Sequence, residues 1–161
     1  MIEYILLIVI MHKEKYMEIE RKFLIDKLPP LDGVECEKIE QGYVLLSPEV
    51  RVRQKGDKFY YTEKSDGTLV RKEYEKEITE AEYREFLAKI CGEIVEKTRY
   101  YIPLGKYTAE LDVYGGRHAG LCVCEVEFEC EEEAMAFIPP DWFGKDVSDD
   151  KRYKNKNLSQ E

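Results

Sequence analysis

From residue 17 onward, polar and apolar positions alternate with a period of two in one short segment after another. That period places residues i and i+2 on one face of an extended chain, so it predicts strands with two chemically different sides. The segments are 17–25, 37–46, 50–54, 58–64, 69–78, 94–102, 106–114 and 121–129, separated by Pro29-Pro30, Ser47-Pro48, Lys55-Gly56-Asp57, Ser65-Asp66-Gly67 and the glycine-rich run 115–120. A helical period interrupts them once. Tyr83, Phe86, Leu87 and Ile90 form a single apolar stripe. Thr79 and Glu82 make a capping box ahead of it, and Gly92 is expected to stop a helix over 79–91. A short helix over 131–138 should end at Pro139-Pro140, and Ser148 should cap a third one in the tail. No repeat or Pro/Gly linker divides the chain. The prediction is an α+β domain of about eight strands, mostly antiparallel, with two or three helices.

The first sixteen residues do not share this pattern. Residues 5–11 are an unbroken apolar run, far shorter than the ~20 residues of a membrane span. No basic stretch precedes the run and no small-residue cleavage site follows it, so it makes a poor signal peptide. We read 1–16 as a dispensable extension, arising from an upstream start, and 17–161 as the domain. A short amphipathic anchor or an extra packed element is the alternative. The five cysteines contain no C-x-x-C pair, which argues for reduced thiols in a cytoplasmic protein.

With 34 acidic and 25 basic residues the net charge is −9, which disfavours sequence-independent binding to nucleic acid. At face value it also disfavours any polyanionic ligand. The distribution of the charges reverses that second inference. Glu18, Glu20 and Lys22 share one strand face, as do Arg51 and Arg53, Arg71, Glu73 and Glu75, Lys97 and Arg99, Glu110 and Asp112, and Glu125 and Glu127; Lys64 follows Thr62 on another. An ordinary solvated face mixes Ser, Thr, Gln and Lys. Here it is almost wholly ionic, and the signs segregate by strand. If the sheet closes, eight carboxylates and seven cations point into one lumen. Such a lumen must be wet and liganded, because burying charges dry costs several kcal/mol each.

Clustered Glu and Asp without His or Cys suit Mg²⁺ or Mn²⁺. Clustered Arg and Lys suit phosphate. Together they make a site for a compact polyphosphate, in which positioning and charge stabilisation can also drive phosphoryl transfer. A histidine-based mechanism has little support: His12 lies in the extension and His118 in a glycine turn. No P-loop is present either, since the 115–120 run lacks the following Lys-Ser/Thr.

Glu18-Ile-Glu20-Arg-Lys22 resembles the E-x-E-x-K signature of the CYTH superfamily, the triphosphate tunnel metalloenzymes. Gln41-Gly42-Tyr43, Arg51-Val-Arg53, Thr62-x-Lys64, Arg71-Lys-Glu73-Tyr-Glu75, Lys97-Thr-Arg99-Tyr, Glu110-Leu-Asp112-Val-Tyr114, Gly120-Leu121, Glu125-Val-Glu127-Phe and the tail from Trp142 to Asn155 match in order. The resemblance implies an eight-stranded antiparallel β-barrel, a tunnel with a polar interior, that hydrolyses or rearranges a triphosphate with Mg²⁺ or Mn²⁺. By that resemblance Glu18, Glu20, Asp112, Glu125 and Glu127 are metal ligands, and Lys22, Arg51, Arg53, Lys64, Arg71, Lys97 and Arg99 grip the triphosphate. Lys22, Glu73 and Glu75 are the expected catalytic groups, and Glu110 is a further wall residue. Arg71 sits at a strand entrance, on the periphery of this set. The implied reaction is in-line attack of water on the terminal phosphorus. Inorganic tripolyphosphate is the leading substrate. Thiamine or nucleoside triphosphate, cyclisation of ATP as in class IV adenylate cyclases, and a polyphosphate-binding module without turnover are the alternatives. The expected protein is a monomer or homodimer with no membrane or nucleic-acid partner.

Overall fold

The computed structural model describes residues 16–66 and 69–161; all but the last residue of the proposed extension lies outside them. Eight strands follow in order: β1 (Tyr16–Leu24), β2 (Cys36–Leu46), β3 (Glu49–Lys55), β4 (Lys58–Lys64), β5 (Val70–Ile78), β6 (Cys91–Leu104), β7 (Tyr107–Tyr114) and β8 (Cys122–Glu127). They close into an antiparallel barrel in the order β1-β5-β4-β3-β2-β6-β7-β8. Closure is made by β1, which pairs with β5 through Glu18↔Arg71 and with β8 through Glu20↔Glu127 and Lys22↔Glu125. The expected α+β barrel is therefore observed. Among the described residues no helix is long and apolar enough to cross a membrane.

The apolar strand faces point outward and need cover. Helix α1 (Glu80–Leu87) lies over β3 and β4, where Tyr83 stacks on Phe59 (5.0 Å between ring centres) and Phe86 on Tyr61 (5.2 Å). The expected capping box is present, with the Thr79 hydroxyl accepting from the Glu82 N–H and Glu82 accepting from the Thr79 N–H. Thr79→Ala should therefore cost about 1 kcal/mol, read as a lower urea midpoint with unchanged m. The helix ends at Leu87, short of the predicted Cys91, because the chain turns at Ala88–Ile90 and β6 already begins at Cys91. Ile90 still belongs to the apolar seam. It packs against Gly42 of β2, where an added Cβ would lie 2.7 Å from its Cγ2.

The second cover lies over β1, β7 and β8. Phe23, Leu111, Cys124, Val126 and Phe128 are buried there beneath Ala134 of α2 (Glu131–Ala136) and Phe143. Helix α2 stops two residues earlier than expected, since Ile138 precedes Pro139 and prolines disfavour helix in the residue before them. Arg21, the residue between Glu20 and Lys22, points outward here. It donates to the Ala134 and Phe137 carbonyls (3.0 Å each) and to Asp146 (2.7 Å), and it lies over the Phe23 ring.

The tail does not form the helix expected from Ser148. The Ser148 hydroxyl accepts from the Lys22 N–H at 3.0 Å and donates to Asp146, while the Val147 N–H bonds the Lys22 carbonyl. These bonds hold residues 144–148 against β1 and prevent a cap there. Beyond them come a 3₁₀ turn (Lys151–Tyr153), capped by Asp150, and the four-residue α3 (Asn155–Leu158). An apolar group of Val95, Tyr114, Val123 and Leu158 sits where the tail meets the barrel.

Candidate functional site

The inward strand faces enclose a cavity of about 160 Å³. All of the fifteen expected charged residues line it except Glu75 and Asp112. Arg71 is not peripheral. It is placed among carboxylates, 3.3 Å from Glu18, 3.2 Å from Glu20 and 3.6 Å from Glu49.

Three groups of contacts organise the wall. Across β1, β4 and β5, Lys64 reaches Glu18 at 2.8 Å and Glu73 at 3.7 Å. Burial opposes ionisation of Glu18, but Lys64 and Arg71 overcome it and bring the carboxyl down to about 2. Glu20 behaves oppositely. Burial, then the neighbouring Glu125 and Glu18 charges, push it up to about 7. Glu127, its partner across β8, is also raised, by burial and then by Glu18 and Glu110.

On β6 and β7, Asp112 is fully buried behind the cations. It accepts from Lys97 Nζ at 2.5 Å and from Arg99 Nε and Nη2 at 2.7 and 2.8 Å. Arg99 also bonds Glu110 and lies 3.6 Å from Glu125. Burial pulls the Lys97 ammonium down to about 8 against the attraction of Asp112. Asp112 itself is held below the usual carboxylate range, because Arg99 and Lys97 outweigh its burial. Its oxygens hold these two cations, and it is not among the residues that line the cavity.

On β3, β4 and β5, Glu75 lies 3.6 Å from Arg51 and 3.1 Å from Arg53, and it accepts from the Thr62 hydroxyl at 2.8 Å. The Nε atoms of both arginines are buried without a hydrogen-bond partner among the described residues. Buried guanidinium N–H groups left in this state are costly, and an anion's oxygens would satisfy them. At the far end of β1, Lys22 pairs with Glu125 at 3.2 Å and donates to the Tyr153 carbonyl.

Five wall residues were not among those expected: Tyr43, Glu49, Lys55, Lys154 and Asn155. Glu49 and Lys55 extend the Arg51/Arg53 alternation by two residues each way, so the same period would have found them. Tyr43 lies in a stretch matched to the family but carried no charge to draw notice. Lys154 and Asn155 come from the tail, where no strand period applies.

No protein-family profile matches the chain. Individual proteins do. It is 45% identical over 148 residues to an inorganic triphosphatase of Nitrosomonas europaea, spanning 88% of this chain and 96% of that one. It is 37% identical over 145 residues to an inorganic triphosphatase of Acetivibrio thermocellus, spanning 88% and 92%. A solved inorganic triphosphatase superposes with a TM-score of 0.68 at 40% identity, covering 93% of this chain and 97% of that one. An adenylyl cyclase candidate from Hippeastrum with a dominant triphosphatase activity shares only the fold, at 16% identity and a TM-score of 0.57 over 74% of this chain and 83% of that one. Identity of this degree, sustained along nearly the whole length of two relatives and carried by the same closed barrel, shows that the chain belongs to the inorganic triphosphatases of the CYTH, or triphosphate tunnel, family.

Proposed function

We propose that this protein hydrolyses inorganic tripolyphosphate to pyrophosphate and orthophosphate inside the barrel, with Mg²⁺ or Mn²⁺ as cofactor. The observation that carries the reading is the pair of buried Arg51 and Arg53 Nε groups, without a hydrogen-bond partner among the described residues, within a wall of nine cations. Such a wall suits a compact polyanion and is wasted on a neutral ligand.

The metal reading rests on the chemistry of the donors. Glu18, Glu20, Glu125 and Glu127 present only carboxylate oxygens, as hard divalent cations require. Glu20 and Glu127 are both short of positive charge, as their raised pKa values record. Among the described residues no three such groups already converge into a cage; Glu18 and Glu20, now paired with Lys64 and Arg71, would be shared between those cations and a divalent ion. A bound divalent ion supplies Lewis-acid stabilisation of the phosphoryl oxygens. Asp112, expected among the ligands, acts in this reading by holding Lys97 and Arg99 in place.

Lys22, Lys64, Lys97 and the arginines bind the phosphoryl oxygens and stabilise the charge that develops on them. Glu73, whose carboxyl is raised chiefly by burial, can take the proton of the attacking water. Glu75 orients Arg51 and Arg53. The water oxygen bonds the terminal phosphorus as the bridging P–O bond breaks and pyrophosphate departs. Five free thiols accord with a reducing, cytoplasmic setting.

The test is incubation with Mg²⁺ or Mn²⁺ and, in parallel, tripolyphosphate, ATP and thiamine triphosphate, with products identified. Orthophosphate and pyrophosphate from tripolyphosphate at the highest kcat/KM are expected. Cyclic AMP from ATP would replace the reading with a cyclase, and tight tripolyphosphate binding without turnover would replace it with a binding module.

A further inference from the structure

Gln41, Gly42 and Tyr43 occupy an irregular part of β2. The pairing with β3 shifts between Tyr43 and Leu45, and the pairing with β6 shifts between Gln41 and Tyr43, which face Val95 and Cys91. Bulges of this kind are common beside active sites, where they re-aim a side chain. Gly42 lies on the outer face, where Ile90 leaves no room for a Cβ. Gln41 and Tyr43 lie on the inner face and are 0 and 1% exposed.

The tail shuts this side of the barrel. Lys156 donates to the Leu46 carbonyl at the end of β2 (2.9 Å), and Gln160 to the Cys91 carbonyl at the start of β6 (3.0 Å). Tyr114 at the end of β7 donates to Asn155 (2.5 Å), and the Glu93 N–H bonds the Ser159 carbonyl at 2.7 Å. Gly92 permits that approach: its φ is +76°, and a Cβ there would meet the Ser159 oxygen at 2.2 Å. Tyr43, whose carbonyl accepts from the Cys91 thiol at 3.2 Å, lines the lumen near this closed end.

Within the pair, Gln41 Nε2 donates to the Tyr43 hydroxyl at 2.7 Å, and Gln41 Oε1 is buried without a hydrogen-bond partner among the described residues. Arg53 and Arg51 stand opposite Gln41 and Tyr43 in the β2–β3 register. Guanidinium groups offer donors only. The reverse amide orientation would set an unpartnered NH2 beside two cations, whereas the observed one leaves an acceptor there. The phenol oxygen thus receives a hydrogen bond from Gln41, which leaves its own proton for an acceptor in the lumen. Burial, then the Glu49 charge, hold this phenol above its usual range, so the proton stays in place.

We propose that Gln41 is a positioning residue for the reaction: its amide fixes the Tyr43 hydroxyl as a hydrogen-bond donor to a phosphoryl oxygen of the bound triphosphate. The phenol donates the hydrogen bond and keeps its proton. This role rests on the triphosphatase reading above. A donor fixed in advance needs no reorganisation as charge grows on that oxygen, so its effect falls on kcat.

The experiment is a double-mutant cycle on kcat for tripolyphosphate at saturating Mg²⁺. It uses Gln41→Met, Tyr43→Phe and their combination, then Gln41→Glu alone and with Tyr43→Phe, with a urea midpoint for each variant. Tyr43→Phe should lower kcat by roughly 10- to 100-fold, the scale of losing one preorganised donor. Gln41→Met, of similar length but unable to donate, should cost roughly 3- to 10-fold, the worth of one hydrogen bond. Gln41→Glu, kept ionised by the facing arginines, should accept the phenol proton and bring kcat close to that of Tyr43→Phe. With Tyr43→Phe already in place, either Gln41 substitution should change kcat by less than about twofold, because its effect runs through the hydroxyl. A Gln41 effect undiminished in that background would make the residue merely structural and overturn the proposal. Native kcat in Tyr43→Phe or in Gln41→Glu would overturn it equally. Should Gln41→Glu not fold, the Gln41→Met cycle decides by the same criterion. Failure of the native protein to cleave tripolyphosphate would instead remove the reading beneath it.

Discussion

Glu20→Gln should lower kcat/KM for tripolyphosphate by roughly 10²- to 10³-fold, the size of effect expected when one preorganised electrostatic group is removed from a transition state. Glu20 lies opposite Glu127 across β1 and β8 and has Arg71 at 3.2 Å. Its carboxylate is destabilised by burial and by Glu125 and Glu18, so it has the most to gain from a divalent ion. Glutamine keeps the shape and one oxygen but removes the charge. Folding should survive, because removing one of several crowded carboxylates relieves repulsion. The metal concentration giving half-maximal rate should rise together with the loss of rate. A variant that retained native turnover and native metal response would sink the assignment of Glu20 as a ligand.

Asp112→Asn should destabilise the fold by about 3–5 kcal/mol, because deleting one member of a buried ion pair leaves its partners charged and uncompensated. This carboxylate holds two cations, Lys97 at 2.5 Å and Arg99 through two bonds, although Arg99 also pairs with Glu110. Neither can turn to water, being 1% and 9% exposed. For a domain whose total stability is of order 5–15 kcal/mol, that loss is large and would show as a lower urea midpoint. The sign of the pH dependence follows from the depressed carboxyl. Its stabilisation is fully present above the ordinary aspartate range near ~4 and is lost as pH falls through the depressed folded value. Acid unfolding of the native protein should therefore be steeper than that of the variant. A change below about 1 kcal/mol would mean that Asp112 does not hold these cations.

How much of this was legible beforehand varies with the physical signal each residue carries. Period-two alternation located every strand within a few residues, because a strand's two faces have fixed geometry whatever its neighbours do. It also brought Glu18, Arg51, Lys97 and Glu125 onto inward faces before any pairing was known. Boundaries that depend on competition between local and distant bonds were not legible. Ser148 is a good helix cap in isolation, yet its hydroxyl is taken by the Lys22 N–H more than a hundred residues away. Gly92 read as a helix stop, whereas its positive φ serves the close passage of Ser159. Lys154 and Asn155 carry no periodic signal and reach the lumen only because the tail folds across it.

Net charge was the most misleading quantity. A value of −9 over the whole chain describes mostly the outer coat, whereas nine cations and seven carboxylates line the lumen. The sequence by itself determined which side chains share a strand face, and hence that acidic and basic residues would converge if the sheet closed. Only the tertiary structure decided that it does close. It also decided that Asp112 sits behind Lys97 and Arg99, that Arg71 lies among Glu18, Glu20 and Glu49, and that one end is shut by the tail. The reason is geometric. Face is a local property with a period of two residues, whereas depth along a barrel depends on register between strands far apart in sequence.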